Sequence, residues 1–168
     1  MNKSILALAL LATLTACSSK EKTALSAKEQ VDGIKQMCAD NAEAMKQRQE
    51  AESLYSRLGG EAKIREFATS LLHSHQADKK IGHYFENVPD HPFVDNVTAF
   101  IVTNSGGGGK YTGRNMTDVH RGFGITYDDF LVAGGDMQKV MTEFGYGKNE
   151  QQEAVCFLVS YLPQVVTK

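Results

Sequence analysis

Charge of neither sign is in surplus: 18 Lys and Arg stand against 20 Asp and Glu over 168 residues, a formal net charge of -2, with no clustered basic stripe. A phosphate backbone selects such a stripe, so nucleic acid is excluded as a partner class. Long apolar runs are lacking too, since the run from Ile5 to Leu14 is too short to cross a bilayer as a stable helix. No segment shows a convincing alternation of apolar and polar residues, the mark of a half-buried strand, so the expected fold class is all-α. Cysteine is scarce, three in all, and no Cys/His pair has structural-zinc spacing. His73 and His75 are two apart and point to different helix faces, which with His83 and His91 makes a weak zinc cluster. Neither His-Glu-x-x-His nor Gly-x-Ser-x-Gly occurs, removing two hydrolase patterns. Gly109-Lys110-Tyr111-Thr112 fails as a phosphate loop: Ser/Thr does not follow Gly-Lys, Asn104 stands where a glycine is needed, and no strand precedes it.

What is present suffices for one well-cored domain with appendages. Residues 1–16 have the layout of a signal peptide, a basic start, an apolar run and then small residues. Leu14-Thr15-Ala16-Cys17 resembles the bacterial lipobox, in which the cysteine is acylated and becomes the first mature residue; an ordinary signal peptide with an incidental cysteine is the alternative. Several acyl chains on Cys17 exceed the two-chain threshold for stable anchoring, so the membrane is an expected partner. Ser18 after the cysteine points to the periplasmic face of the outer membrane in a Gram-negative host. Residues 17–27 are small or polar and read as a tether, 28–52 as a helix, and 53–168 as the domain proper.

With Cys17 consumed by lipid, Cys38 and Cys156 form an even pair in an oxidising compartment. They form either a disulfide tying the N-terminal helix to the C-terminal one, or two separately buried thiols. Within the domain, Ile64, Phe67 and Leu71 recur at helical spacing, as do Ala68, Leu72 and His75. Phe93, Val97, Phe100 and Ile101 mark a second helix, and Phe130, Ala133, Met137 and Met141 a third, opened by a Thr126/Asp129 capping box. The last helix begins near Asn149 and meets Pro163. Four glycines, 106–109, are either a loose connector or a loop that lets backbone lie close to a bulky ligand.

At the centre of Tyr111 to Thr126 lies His120, on a short segment bracketed by glycines. Imidazole is the side chain most used to hold a transition metal or a haem iron, which makes His120 a candidate ligand. Several residues around it carry a family resemblance: Gly59-Gly60, Phe85, the glycine loop before Tyr111-Thr-Gly, and Met116-x-x-Val119-His120-Arg121-Gly122-x-Gly124-Ile125-Thr126. From Leu54 to about Val166 the chain resembles the truncated haemoglobins, group I in particular. The resemblance implies a two-over-two helical sandwich around haem b, with His120 as the proximal iron ligand and Phe85 packed on the porphyrin. Phe93, Val97, Met116, Ile125 and Phe130 would line the slot. Lys110 and Tyr111 would lie at its edge, where a cation meets a propionate.

The same resemblance places Leu72 and Val97 where group I proteins commonly carry a distal tyrosine and glutamine, with Phe93 at the distal gate. Bound dioxygen carries partial negative charge, so each missing donor costs on the order of 1.5 to 3 kcal/mol of its stabilisation. Asn96 is the nearest replacement donor, and it stands where some relatives place a second iron-binding histidine; five-coordinate iron is expected. The implied partner is a diatomic gas (oxygen, nitric oxide or carbon monoxide), with an unidentified reductase. A gas binder is favoured over a haem enzyme, such as a nitric oxide dioxygenase or weak peroxidase, because Leu72, Phe93 and Val97 offer no acid or base.

Overall fold

The computed structural model describes residues 24–168. The signal peptide at 1–16, Cys17 and most of the tether lie outside the described residues. Among those described there are helices and no strand, and no helix is long and apolar enough to cross a membrane. The helices are α1 (Ala27–Asp40), α2 (Ala42–Ala51), α3 (Leu54–Arg57), α4 (Gly60–Ala77), α5 (Asp90–Ser105), α6 (Met116–His120), α7 (Tyr127–Glu143), α8 (Lys148–Ser160) and α9 (Leu162–Val165). A 3-10 turn, Gly82–Tyr84, links α4 to α5.

The 28–52 segment is two helices rather than one. Asn41 interrupts it at φ -103° and ψ 3°, and its side-chain amide donates to the Met37 carbonyl at 2.8 Å. Asparagine competes with the helical ladder in this way, so the chain turns there. Ser26 and Glu29 form a reciprocal capping box at the start of α1.

Two helix pairs make the body. α4 packs along α5, α7 packs along α8, and α4 also meets α7. One core joins Leu54, Leu58, Ile64, Phe67, Met137, Val140 and Met141 from α3, α4 and α7. A second joins Val31 to Ile125, Phe130, Val159, Leu162 and Val165. Val31 is wholly buried, which makes α1 part of the body rather than a free arm. Cys38 of α1 and Cys156 of α8 are disulfide-bonded, with Cα atoms 5.5 Å apart.

The glycine loop has a definite use at its start. A Cβ on Gly106, whose φ is +100°, would stand 2.9 Å from the Ser53 Cβ, and one on Gly107 would stand 2.6 Å from the Tyr55 ring. These two glycines let the loop press against the α2–α3 junction, whereas Gly108 and Gly109 have open space around them. The chain leaving α5 is thereby turned toward α6, which carries His120.

Candidate functional site

Between the helix pairs lies a cavity of about 580 Å³ with overwhelmingly apolar walls. It falls in the size range of small-molecule and cofactor sites. Its walls come from α3 to α9, and the residues expected at the site converge on it: Phe85, Phe93, Asn96, Val97, Tyr111, Met116, His120, Ile125 and Phe130 all line it.

α6 is a single turn, opened by Asn115, whose side chain accepts from the Asp118 N–H at 2.9 Å. That cap fixes the turn that ends at His120. His120 is half-buried, and its Nδ1 lies 2.8 Å from the Met116 carbonyl oxygen. A carbonyl only accepts, so Nδ1 carries the proton and the neutral ring keeps its lone pair on Nε2. Burial holds the ring below the ordinary histidine pKa, partly offset by the bond to Met116. A half-buried, neutral imidazole in an apolar wall, with Nδ1 anchored by the backbone, is the standard wiring of a metal-binding histidine. Among the described residues no group of three His, Cys, Asp or Glu is placed to hold a bare ion, so an iron here requires a ligand frame of its own.

Aromatic rings shape the slot. Phe93 meets Phe85 edge-on at 6.0 Å. Phe100 touches Tyr111, Phe157 and Tyr161 at 5.2, 5.4 and 5.2 Å. The Tyr111 hydroxyl donates to the Arg114 carbonyl at 3.1 Å, holding the ring in place. Flat apolar faces at these spacings suit a flat apolar ligand.

Two expectations are corrected. Leu72 is wholly buried but stands outside the lining. Phe67, Leu71 and His75, at steps of four, carry the cavity face of α4, and Leu72 is turned about 100° from Leu71, on the face shared with Ile64 and Ala68. Lys110 is exposed and also outside the lining; Arg114, four residues on, is the basic residue in the wall. Asn96 is on the lining, as expected, and one of its two amide N–H groups donates to the Pro92 carbonyl at 2.6 Å within its own helix.

His75 was not read from the sequence as a site residue, and it changes the pocket's character. Its ring lines the cavity, stacks on Phe85 with centroids 4.9 Å apart, and holds Asp136 Oδ2 at 2.9 Å through Nδ1. The cavity therefore does contain an acid–base group. The available signal was the Phe67, Leu71, His75 spacing; the partner on α7 is 61 residues away and leaves no local trace.

Residues 53–167 match the family model described as bacterial-like globin. A group 1 truncated hemoglobin of Mycolicibacterium paratuberculosis is 25% identical over 118 residues, covering 70% of this chain and 87% of the relative. A group 1 truncated hemoglobin of Tetrahymena pyriformis is 28% identical over 94 residues, covering 56% of this chain and 78% of the relative. The crystal structure of the Tetrahymena pyriformis truncated hemoglobin in its Fe(III) form superposes with a TM-score of 0.63 at 21% identity, over 70% of this chain and all of that one.

Proposed function

Because the chain belongs to the bacterial-like globin family, we propose that its cavity holds haem b, with His120 as the proximal iron ligand, and that it binds a diatomic gas. The observation that carries this reading is His120 itself, a neutral imidazole in the wall of a 580 Å³ apolar cavity, with Nδ1 tied to the Met116 carbonyl. Haem supplies the ferrous iron at which oxygen, nitric oxide or carbon monoxide is held.

The residues fit that group. Phe85, Phe93, Val97, Met116, Ile125 and Phe130 give flat and branched apolar surface that encloses a porphyrin and excludes water. The Met116 carbonyl orients His120 and raises its basicity. Arg114 offers a cation in the wall for an anionic porphyrin edge, the role expected of Lys110. Phe93 and Val97 bring no polar atom to the lining, which leaves His75 as the polar side chain nearest to hand for a bound gas.

The envelope is the proposed location, through lipid on Cys17, and the electron donor is an unidentified reductase. The Cys38–Cys156 disulfide supports an oxidising compartment. Cys17→Ser is expected to release the protein from membranes in fractionation.

Reconstitution of the full chain with haem tests the central claim. The expected result is a Soret band and a five-coordinate ferrous spectrum, lost or severely weakened in His120→Ala. An unchanged spectrum in that variant would place the ligand elsewhere.

A further inference from the structure

His75 in the cavity wall and Asp136 behind it form a buried acid–base pair that points to a role gas binding does not use. His75 is 7% exposed, whereas Asp136 keeps 14% of its side chain exposed. The pair therefore runs from near the surface of α7 to the cavity wall. A carboxylate only accepts, so Nδ1 donates to Asp136 and the neutral ring carries its lone pair on Nε2. Burial keeps the ring neutral, holding its pKa below the ordinary histidine value against the pull of Asp136.

Nε2 has no hydrogen-bond partner among the described residues. The wholly buried side-chain atoms left without partners are Thr98 Oγ1 and Ser105 Oγ; His75 Nε2 is not among them and keeps accessible surface. The ring lines the cavity and its Nδ1 is taken by Asp136, so Nε2 is the nitrogen left to meet a ligand there. The stack on Phe85 fixes the ring plane and the bond to Asp136 fixes its rotation.

We propose that His75, oriented by Asp136, is the base that admits small protic acids to this cavity, the class of hydrogen sulfide, hydrogen cyanide and hydrogen peroxide. The inference rests on the haem reading above. These molecules would enter an apolar pocket as neutral HX, and haem held through His120 would supply the ferric site that takes X⁻. The H–X bond breaks, its electron pair stays on X, and the proton passes to His75 Nε2; no electron is transferred. The imidazolium is stabilised by Asp136 at Nδ1 and donates Nε2–H to X⁻. Without a base, the proton would have to leave through apolar walls, and burying X⁻ unpaired is costly. Neutral carbon monoxide carries no proton and gains nothing from His75.

Stopped-flow absorption on the full-length haem-loaded protein tests this. Cyanide and sulfide association are measured on the ferric form and carbon monoxide association on the ferrous form, in wild type, His75→Leu, His75→Gln and Asp136→Asn. Glutamine keeps a polar side chain that is not a base, so it covers the case in which leucine disturbs folding. The proposal expects both His75 variants to keep a Soret band, to bind cyanide and sulfide about a hundred-fold more slowly, and to bind carbon monoxide as wild type does. Asp136→Asn should fall between. Unchanged protic-ligand rates overturn the proposal, as does equal slowing of all three ligands, which would make His75 a packing residue. A wild type without a Soret band overturns the haem reading and this inference with it.

Discussion

His75 stacks on Phe85, ring centroids 4.9 Å apart and planes 26° apart, while its Nδ1 reaches Asp136 on another helix. A polar ring thus becomes part of an apolar wall because one face is covered by an aromatic and one nitrogen is satisfied by a carboxylate. Both rings line the cavity, and of the two His75 brings the polar atoms.

Burial has a consequence for stability against pH. Desolvation lowers the His75 pKa from 6.5 in the folded chain, and the bond to Asp136 only partly opposes it. The unfolded chain then binds a proton that the folded chain refuses, so stability rises with pH through this window. The contribution is complete above 6.5 and is lost as the pH falls from there toward the folded-state value. The haem-free chain should show a urea midpoint that drops as the pH falls below 6.5, and His75→Gln should show a smaller drop. Both chains keep the other four histidines, so the difference between the two curves belongs to His75 alone. Parallel curves would mean that the ring is solvated in the folded state.

The two leucines of α4 should answer differently to truncation. Leu72 has no exposed surface and lies against packed protein on all sides, so Leu72→Ala leaves a void and should cost about 2 to 5 kcal/mol. Leu71 already borders the cavity, loses fewer contacts, and should cost clearly less. Urea denaturation of the two haem-free variants decides, and equal losses would contradict the assignment of Leu71 to the cavity face.

That pair also shows where local pattern stops being informative. Helical periodicity marks α4, α5, α7 and α8, and the Thr126/Asp129 capping box is present, with Asp129 Oδ2 accepting from Thr126 N and Oγ1 at 3.0 and 2.6 Å. On α4, however, Ile64, Phe67, Ala68, Leu71, Leu72 and His75 form one broad apolar face that packs against both α5 and α7. Which part of such a face borders a cavity depends on tertiary placement, and neighbouring residues differ by about 100°. His75 was hidden for the same reason, its satisfaction lying on α7. The turn at Asn41 escaped because asparagine is tolerated within helices as well as at their ends.

An ion-pair network should matter more than surface pairs do. Arg57 at the end of α3 holds Glu150 at 2.6 Å and also Glu153, which Arg48 of α2 holds at 2.5 Å. Arg57 and Glu153 keep only 13% and 8% of their side chains exposed. Arg57→Leu leaves Glu150 without its partner and Glu153 with Arg48 alone, both largely buried, so it should cost about 1 to 3 kcal/mol. Adding Glu153→Leu should not restore stability, because Glu150 stays unpaired and Arg48 then loses its carboxylate as well. A single variant as stable as wild type would show that water reaches Glu153 freely.

The disulfide offers the largest covalent contribution. Cys38 and Cys156 are 118 positions apart, and closing a loop of that length restricts the unfolded chain by about 4 to 5 kcal/mol in the chain-entropy model. Reduction should therefore lower the urea midpoint of the wild type strongly, and the Cys38→Ala/Cys156→Ala variant should start low and not respond to reductant. α1 should nonetheless stay docked in the reduced protein under native conditions, since Val31 is wholly buried in the second core and the Ser26/Glu29 box caps the helix independently of the bond. Hydrogen exchange separates the two contributions. If α1 amides stay protected after reduction while global stability falls, the bond acts mainly on the unfolded chain; if α1 exchanges at once, the bond is what holds it against α8. In the second case the cavity should respond as well, because Ala154, Phe157 and Leu158, which flank Cys156 on α8, are in its wall.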